Sequence, residues 1–476
     1  IDNLFYRSDN TTPDHIKNDP DMIQNHLMRQ VQEQEVFPNK GISRVNTPNA
    51  FQVQMFNMSF YPEQPGPYNY DVDPISGVTA GLDDDGRLAD PASRWAGITR
   101  RIDQTDFDAA NIEFIQFWIM DPYAEMETPG FPGWDTNATD GQLYFNIGSI
   151  SEDILKDEYK EFENGFPKTE AKAKLIDDPA ELSKFGRLPD GQQIVNAFDN
   201  NPATREYQDV GLDGFRNEEE RIFFDSTYLS PLRARFGDGS APVIRFEADP
   251  SHDDYNFYRD DDYDAAQKNI LQRYKFYNGH EGNSATSEQS KSLNQAGYPT
   301  SASPIPDAED LNRDNTLDNV ESYYQYKVDI SPQALSQTGK NYINNITTGE
   351  PQNAGGKTVN WIQIKIPIRE YEKKVGNVQD FRSIRFIRMY MKGFEKPIYL
   401  RFARLELVRG EWRRFTGDLD EEGENVADDP DVQFNIGAVN IEDNSGKEPV
   451  NYVLPPQLQR EIQAGSPNLA LQNEQS

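Results

Sequence analysis

The 476-residue chain has no cysteine, so disulfide frameworks, thiolate nucleophiles and thiolate metal sites are all closed to it. Histidine is nearly as scarce. His15, His26, His252 and His280 are scattered, with no HExxH or paired spacing, and that argues against zinc. Positive charge is outnumbered, 47 Lys and Arg against 80 Asp and Glu, and the resulting net charge of −33 repels nucleic acid and anionic lipid surfaces. No apolar run approaches the ~20 residues of a membrane-spanning helix. A stretch such as 398–407, with Arg401, Arg404 and Glu406, does not suit a lipid-facing barrel strand. Also missing are GxSxG, a P-loop, and a GxGxxG placed between strand and helix. Carboxylates are too numerous for a glycosidase pair to be singled out, because the separation that defines one is not legible in a sequence. The expectation is a protein that is not an enzyme. The chain opens at Ile1 with no methionine, basic n-region or apolar h-region, so it reads as a piece of a longer protein whose signal peptide, if any, lies outside it.

What is abundant is Asn, Asp, Gly, Pro and Tyr, with 12% aromatic residues, a composition of loop-rich β proteins. The most informative pattern is a repeat. Asn-Ile-Glu-Phe-Ile-Gln-Phe-Trp-Ile-Met-Asp at 111–121 recurs 272 residues downstream as Ser-Ile-Arg-Phe-Ile-Arg-Met-Tyr-Met-Lys-Gly at 383–393. Upstream, Trp95, Ile98 and Ile102 match Trp361, Ile364 and Ile368 in spacing, and Asp106-Phe107 matches Asp380-Phe381. An aromatic strand follows each copy, Leu143-Tyr144-Phe145 and 398–402. The period is far beyond the ~20–50 residues of solenoid units. The fold class expected is therefore mainly β, with two galactose-binding-like, jelly-roll-like β-sandwich domains, short helices and long loops. In the second copy Ile362, Ile364, Ile366 and Ile368 fall on one strand face, Trp361, Gln363 and Lys365 on the other, and Pro367 belongs at an edge or strand end. Strand 384–391 reads as central. Its Phe386-Ile387 doublet breaks alternation, as in a bulged strand or one buried on two faces.

Along the chain, 1–50 is a helical and extended segment with an amphipathic helix within 13–36, and 51–282 is the first sandwich with a polar insertion at about 152–282. Residues 283–308 form a linker, 309–415 the second sandwich, and 416–476 a β segment with a polar tail. Strand 51–60 changes face in a way that suggests a bulge, 152–185 reads as helical excursions, and 265–276 as a short helix.

One loop has ligand spacing. Asp310, Asn312, Asp314, Thr316, Asp318 and Glu321 place oxygen side chains at positions 1, 3, 5, 7, 9 and 12 of a calcium loop, with apolar Leu317 at position 8. Calcium takes six to eight hard oxygens, and this spacing wraps them around one point. Asn315 replaces the usual glycine at position 6 but tolerates positive φ, and Pro304 with Pro306 leaves little room for a preceding helix. The alternative is an acidic, solvated turn entering a strand. No cofactor is required; Ca2+ is the one this loop could take. Asp253-Asp254 and Asp260-Asp261-Asp262 with Asp264 could likewise hold a cation, but they lack ligand spacing and a charged loop is the favoured reading. Trp95, Trp134 and Trp361 could together stack on a sugar, yet Trp95 and Trp361 open strands and suit a core, leaving Trp134 in its Pro-Gly-Trp loop.

Several stretches together resemble the SprA/Sov family, the giant outer-membrane translocon of the type 9 secretion system, also linked to gliding motility. They are 25–31 (Asn-His-Leu-Met-Arg-Gln-Val), 35–38 (Glu-Val-Phe-Pro), Tyr61-Pro62, 66–71 (Gly-Pro-Tyr-Asn-Tyr-Asp), 117–122 (Phe-Trp-Ile-Met-Asp-Pro), 140–153, 310–326 and 448–456. The resemblance runs across nearly the whole chain; Glu63-Gln64-Pro65 departs from it where an arginine is expected beside Gly66. It implies a pore through which folded cargo leaves the periplasm. This chain, with too few barrel strands to be the barrel, would be a non-catalytic cap or pore-exit insertion on the extracellular face of the outer membrane. The implied partners are the rest of the translocon barrel, cargo proteins, a shuttle protein at the lateral gate and a plug protein. The competing reading is a cell-surface carbohydrate-binding adhesin module.

Overall fold

The computed structural model describes residues 13–17, 19, 23–38, 52–125, 140–156, 158, 182–187, 198, 199, 201, 212–254, 258, 261–275, 308–351 and 353–410. In chain order the strands are β1 (Met55–Phe60), β2 (Trp95–Arg101), β3 (Ile112–Met120), β4 (Gly141–Ser149), β5 (Ser322–Ile330), β6 (Ile343–Gly349), β7 (Val359–Pro367), β8 (Lys373–Val375), β9 (Phe386–Lys392) and β10 (Ile398–Arg409). They form two antiparallel sheets, β1-β10-β3-β7-β6 and β2-β9-β4-β5-β8. Ile115, Phe117, Ile119, Ile362, Ile364, Ile366, Leu400 and Phe402 of the first sheet meet Leu143, Phe145, Ile147, Tyr324, Tyr326, Val328, Met389 and Met391 of the second in one continuous core. Phe117 touches both Phe145 across the core and Phe402 beside it, at 5.3 and 5.5 Å between ring centroids.

The protein is mainly β and a sandwich, as its composition and alternation suggest. The repeat copies do not build two sandwiches, however; they interlock in one. β3, the middle strand of the first copy, lies between β10 and β7 of the second. β9, the middle strand of the second, lies between β2 and β4 of the first. Exchange of β2, β3 and β4 for β7, β9 and β10 maps these pairings onto each other. The Asp-Phe pairs meet where the copies join: the Phe107 amide donates to the Phe381 carbonyl at 2.8 Å, and both rings are buried. Ile102 and Ile384 donate to Arg385 and Thr105 carbonyls alongside. A middle strand has hydrogen-bonding groups on both edges, and each copy supplies the other's partners.

The first sheet is buried on both faces. Trp118, Met120, Val359, Trp361, Tyr399 and Ala403 point away from the core and are covered by Leu27, Val31, Val36 and Phe37 of the N-terminal segment. This is why β3 reads as almost continuously apolar. It also accounts for β1, which keeps an unbroken register from Met55↔Ala403 to Phe60↔Ile398: Met58 and Phe60 face the core while Val53 and Met55 face the covering segment. The expected bulge is in its neighbour, between Ala403 and Leu405 of β10, where Arg404 has φ 64°. Phe386-Ile387 needs no bulge either, because both residues sit in regular register. Pro367 ends β7, where its missing N–H costs least.

The N-terminal segment is not the single amphipathic helix its spacing suggests. Among the described residues it contains the four-residue helices α1 (Asp14–Lys17) and α2 (Glu33–Val36), with turns at 26–28 between them. Polar side chains tie it down instead. Arg29, fully buried, makes two charge-assisted bonds to buried Glu35, one of them 2.7 Å, and Glu35 also accepts the Trp361 indole N–H at 2.9 Å. Arg401 of β10 donates to the His26 carbonyl and, at 3.0 Å, to Asn57 Oδ1. The Glu125 carboxylate takes the His26 amide at 2.8 Å and Lys357 at 3.1 Å. At Gly349 a Cβ would come 2.6 Å from the Glu35 side chain, so glycine lets the segment sit down on β6.

The polar insertion holds more helix than its sequence suggests: α3 (Asn217–Phe223), a π-helical turn at Asp225–Leu229, α4 (Ser230–Phe236) and α5 (Ala241–Ala248). Phe224, Tyr228, Leu229, Leu232, Val243 and Phe246 pack there against Val72, Leu82 and Leu88. Two further short helices follow, α6 (Asp261–Ala265) and α7 (Ile270–Tyr274), the latter capped reciprocally by Asn269 and Gln272. They break up the helix expected over 265–276. Most of the helical excursions expected in 152–185, nearly all of the linker at 283–308, and 416–476 lie outside the described residues.

Two outcomes test the anchoring of the N-terminal segment. Glu35→Ala strands a buried guanidinium and should cost about 3–5 kcal/mol in urea denaturation, whereas Arg29→Met with Glu35→Leu should recover most of the loss; a double variant as unstable as the single one contradicts this. His26 Nδ1 accepts from Arg29 Nε at 2.9 Å, which requires a neutral ring, and burial followed by the Arg29 charge holds its pKa at about 4, below the usual 6.5. Between pH 6.5 and 4 the unfolded chain takes up a proton the folded one refuses, so stability falls as pH drops through this window. Wild type should therefore lose stability more steeply there than His26→Gln, and parallel curves would rule the linkage out.

Candidate functional site

The 310–321 loop leads into β5, and a single carboxylate organises it. Glu152, buried, accepts the Asn312 amide on Oε1 and the Asp318 amide on Oε2, each at 3.1 Å, while its own amide donates to the Asp318 carbonyl at 2.7 Å. Burial pushes the Glu152 pKa up, and the two amides work against that rise. Within the loop, Asp310 accepts the Asp314 and Asn315 amides at 3.2 and 2.8 Å, and Asn312 Oδ1 accepts the Asp314 amide at 2.8 Å. Asp314 Oδ1 takes the Thr316 hydroxyl and amide, and these bonds lower its pKa. Asn315 has φ 67°, the left-handed backbone that position 6 demands. The last two oxygen donors are engaged at β9: Asp318 pairs with Arg385, the residue before the strand, and Glu321 accepts both Arg388 η nitrogens at 3.0 Å. The loop thus turns Asp310, Asn312 and Asp314 onto its own amides and ties Asp318 and Glu321 to the sheet.

The outer face of the second sheet bears an aromatic stripe. Tyr144 stacks on Tyr390 at 4.7 Å and 5°, and Trp95 meets Tyr390 edge-on at 6.4 Å. Gly97 permits this, since a Cβ there would lie 2.6 Å from the Tyr390 Cβ. Trp95 was expected in the core and is instead 66% exposed, because β2 is the edge strand of its sheet. Trp361 is fully buried as expected, and Trp134 lies outside the described residues.

A third grouping was not expected. One carboxylate oxygen from each of Asp213, Glu220 and Asp253 falls within 4.8 Å of the others, and all three residues are buried. Asp253 had read as charged loop, and Asp213 and Glu220 carried no ligand spacing. The available signal was apolar flanking, Leu212 and Phe215 around Asp213 and Ile222-Phe223-Phe224 after Glu220.

The SprA_N family model, described as motility related/secretion protein, matches residues 227–476, more than half of the chain. That region supplies β5 to β10, while β1 to β4 precede it, so the sandwich extends beyond the matched part. No curated protein matches the chain.

Glu152→Ala should cost about 1–3 kcal/mol in denaturant unfolding, because it deprives two loop amides of their acceptor. Arg385→Ala, which removes a half-exposed ion pair, should cost no more than about 1 kcal/mol. The reverse order would show that the arginine, not Glu152, holds the loop.

Proposed function

The chain belongs to the SprA_N family of motility related/secretion proteins, and on that premise we propose that it is a non-catalytic structural segment of the type 9 secretion translocon in the outer membrane. It forms a cap or pore-exit insertion on the extracellular side and helps folded cargo proteins leave. The family match is the observation that carries this reading. The architecture supports it. A sandwich whose copies interlock and whose first sheet is plated by the N-terminal segment is a stiff body, and a stiff body suits the rim of a channel passing bulky cargo. Among the described residues no helix is long and apolar enough to cross a membrane, in keeping with an insertion held by the rest of the translocon barrel. Cargo, a shuttle protein at the lateral gate and a plug protein are the partners this role entails.

The stripe of exposed Trp95 with half-buried Tyr390 and Tyr144 favours a second reading, a carbohydrate-binding adhesin module, since aromatic faces stack on sugar rings. One comparison separates the two. Removal of residues 52–410 from the parent, with its outer-membrane abundance verified, should block cargo export and gliding; normal export overturns the translocon role. The adhesin reading expects export to persist and glycan-array binding by the isolated chain to disappear in Trp95→Ala.

A further inference from the structure

The three buried carboxylates of the helical patch come from separate segments: Asp213 from the turn before α3, Glu220 from α3 itself, and Asp253 from the loop after α5. In each, a backbone amide fixes the carboxylate. Phe215 N donates to Asp213 Oδ1 at 2.9 Å, Ser251 N to Glu220 Oε2 at 3.1 Å, and Leu212 N to Asp253 Oδ2 at 2.7 Å, with the Asp213 amide on the same oxygen at 3.3 Å. The second oxygens of Asp213 and Glu220, Oδ2 and Oε1, are buried with no hydrogen-bond partner. Asp213 is 5% and Glu220 0% exposed.

Such an arrangement is unfavourable as it stands. A buried acceptor left unsatisfied costs about 1–3 kcal/mol, more when charged, and like charges at this separation cannot all ionise without a counter-charge. The strongest charges acting on Asp213 and Glu220 are other carboxylates, Asp253 and Asp249 among them. Asp249 stands beside the group, its Oδ1 accepting the Asp253 amide at 3.2 Å. The backbone is nonetheless fitted closely around the group: a Cβ on Gly186 would come 2.3 Å from the Asp213 carbonyl oxygen, which also accepts the Arg187 amide at 2.7 Å.

We propose that Asp213, Glu220 and Asp253 form a binding site for a hard divalent cation of the calcium class, with the two unpartnered oxygens as ligands and Asp253 completing the set. Oxygens bound to calcium at ~2.3–2.6 Å stand at most ~4.6–5.2 Å apart across the ion, which accommodates the 4.8 Å limit seen here. The donors are all carboxylate oxygens with no imidazole or thiolate, a set that selects calcium, magnesium or manganese over zinc or copper. Three carboxylates favour calcium, because magnesium keeps several of its waters. The ion would join the turn at 212–215, α3 and the loop at 249–254 into one unit, so its effect is on the stability of the helical patch. The site is separate from the 310–321 loop.

The test uses the full 476-residue chain, stripped with chelator and followed by thermal unfolding and calorimetric titration with CaCl2, MgCl2 or MnCl2. Calcium should bind and raise the melting temperature. Asp253→Asn should raise the melting temperature of the stripped protein by relieving repulsion, yet abolish the calcium response, and Glu220→Gln should do the same if the first variant folds poorly. Asp314→Asn, in the 310–321 loop, should leave the response intact. The proposal is overturned if wild type shows no calcium binding, meaning that shared protons alone neutralise the cluster. It is equally overturned if the response survives Asp253→Asn and Glu220→Gln but disappears in Asp314→Asn.

Discussion

Everything in this sandwich depends on the backbone groups along the edges of two strands. β3 and β9 are apolar strands with a neighbour on each edge, so the N–H and C=O groups along both edges must find partners within the sheet. Those partners come from the opposite copy of the repeat: β10 and β7 for β3, β2 and β4 for β9. Neither copy is a folding unit alone, since its middle strand would lack both neighbours. The contacts are also long-range, with β1 pairing to β10 across more than 300 residues. Folding must close long loops before these pairings are rewarded, which sets a slow course for a topology of this kind.

The second constraint is the covering of the first sheet. An antiparallel sheet can leave one face to water, but here Trp118, Met120 and Trp361 make that face apolar. The N-terminal segment covers it as short turns rather than as a helix, and its specificity comes from Arg29, Glu35, His26 and Arg401. A hydrophobic contact alone would tolerate sliding. A buried guanidinium held by one carboxylate does not, because any displacement leaves charge without a partner.

Much of the strand content was legible in residue patterns, because alternation reports which residues share a face. Ile362, Ile364 and Ile366 face the core and Trp361 the other side, as their spacing implies, and Pro367 ends its strand. Pairing was not legible, because local pattern says nothing about which strand lies alongside. Two similar units suggested two domains, whereas exchange between them made one. Trp95 was misplaced for the same reason, since an aromatic at a strand start is buried only if something lies beyond that strand. The helices at 217–248 are masked in the sequence by their charge, although Ser240-Ala241-Pro242 is a good helix start and the Ser240 hydroxyl accepts the Val243 amide. As for sites, oxygen spacing at 310–321 was visible because it is local, while Asp213, Glu220 and Asp253 belong to segments up to 40 residues apart in sequence that only the fold assembles.

Among the described residues, three buried acidic groups are accommodated in physically different ways. Glu35 is matched by a guanidinium and an indole N–H, so its charge is cancelled locally. Glu152 meets no cation among the described residues and relies on two loop amides, which offset part of its desolvation and convert it into a clasp between β4 and β5. The Asp213, Glu220 and Asp253 group has amides enough to orient each carboxylate but leaves two buried oxygens without a hydrogen bond. The first two arrangements are complete from the chain's own atoms. The third is oriented by backbone amides while two of its buried oxygens have no hydrogen bond, and that combination of ordered donors and unmet acceptors is the observation on which the proposed cation site rests.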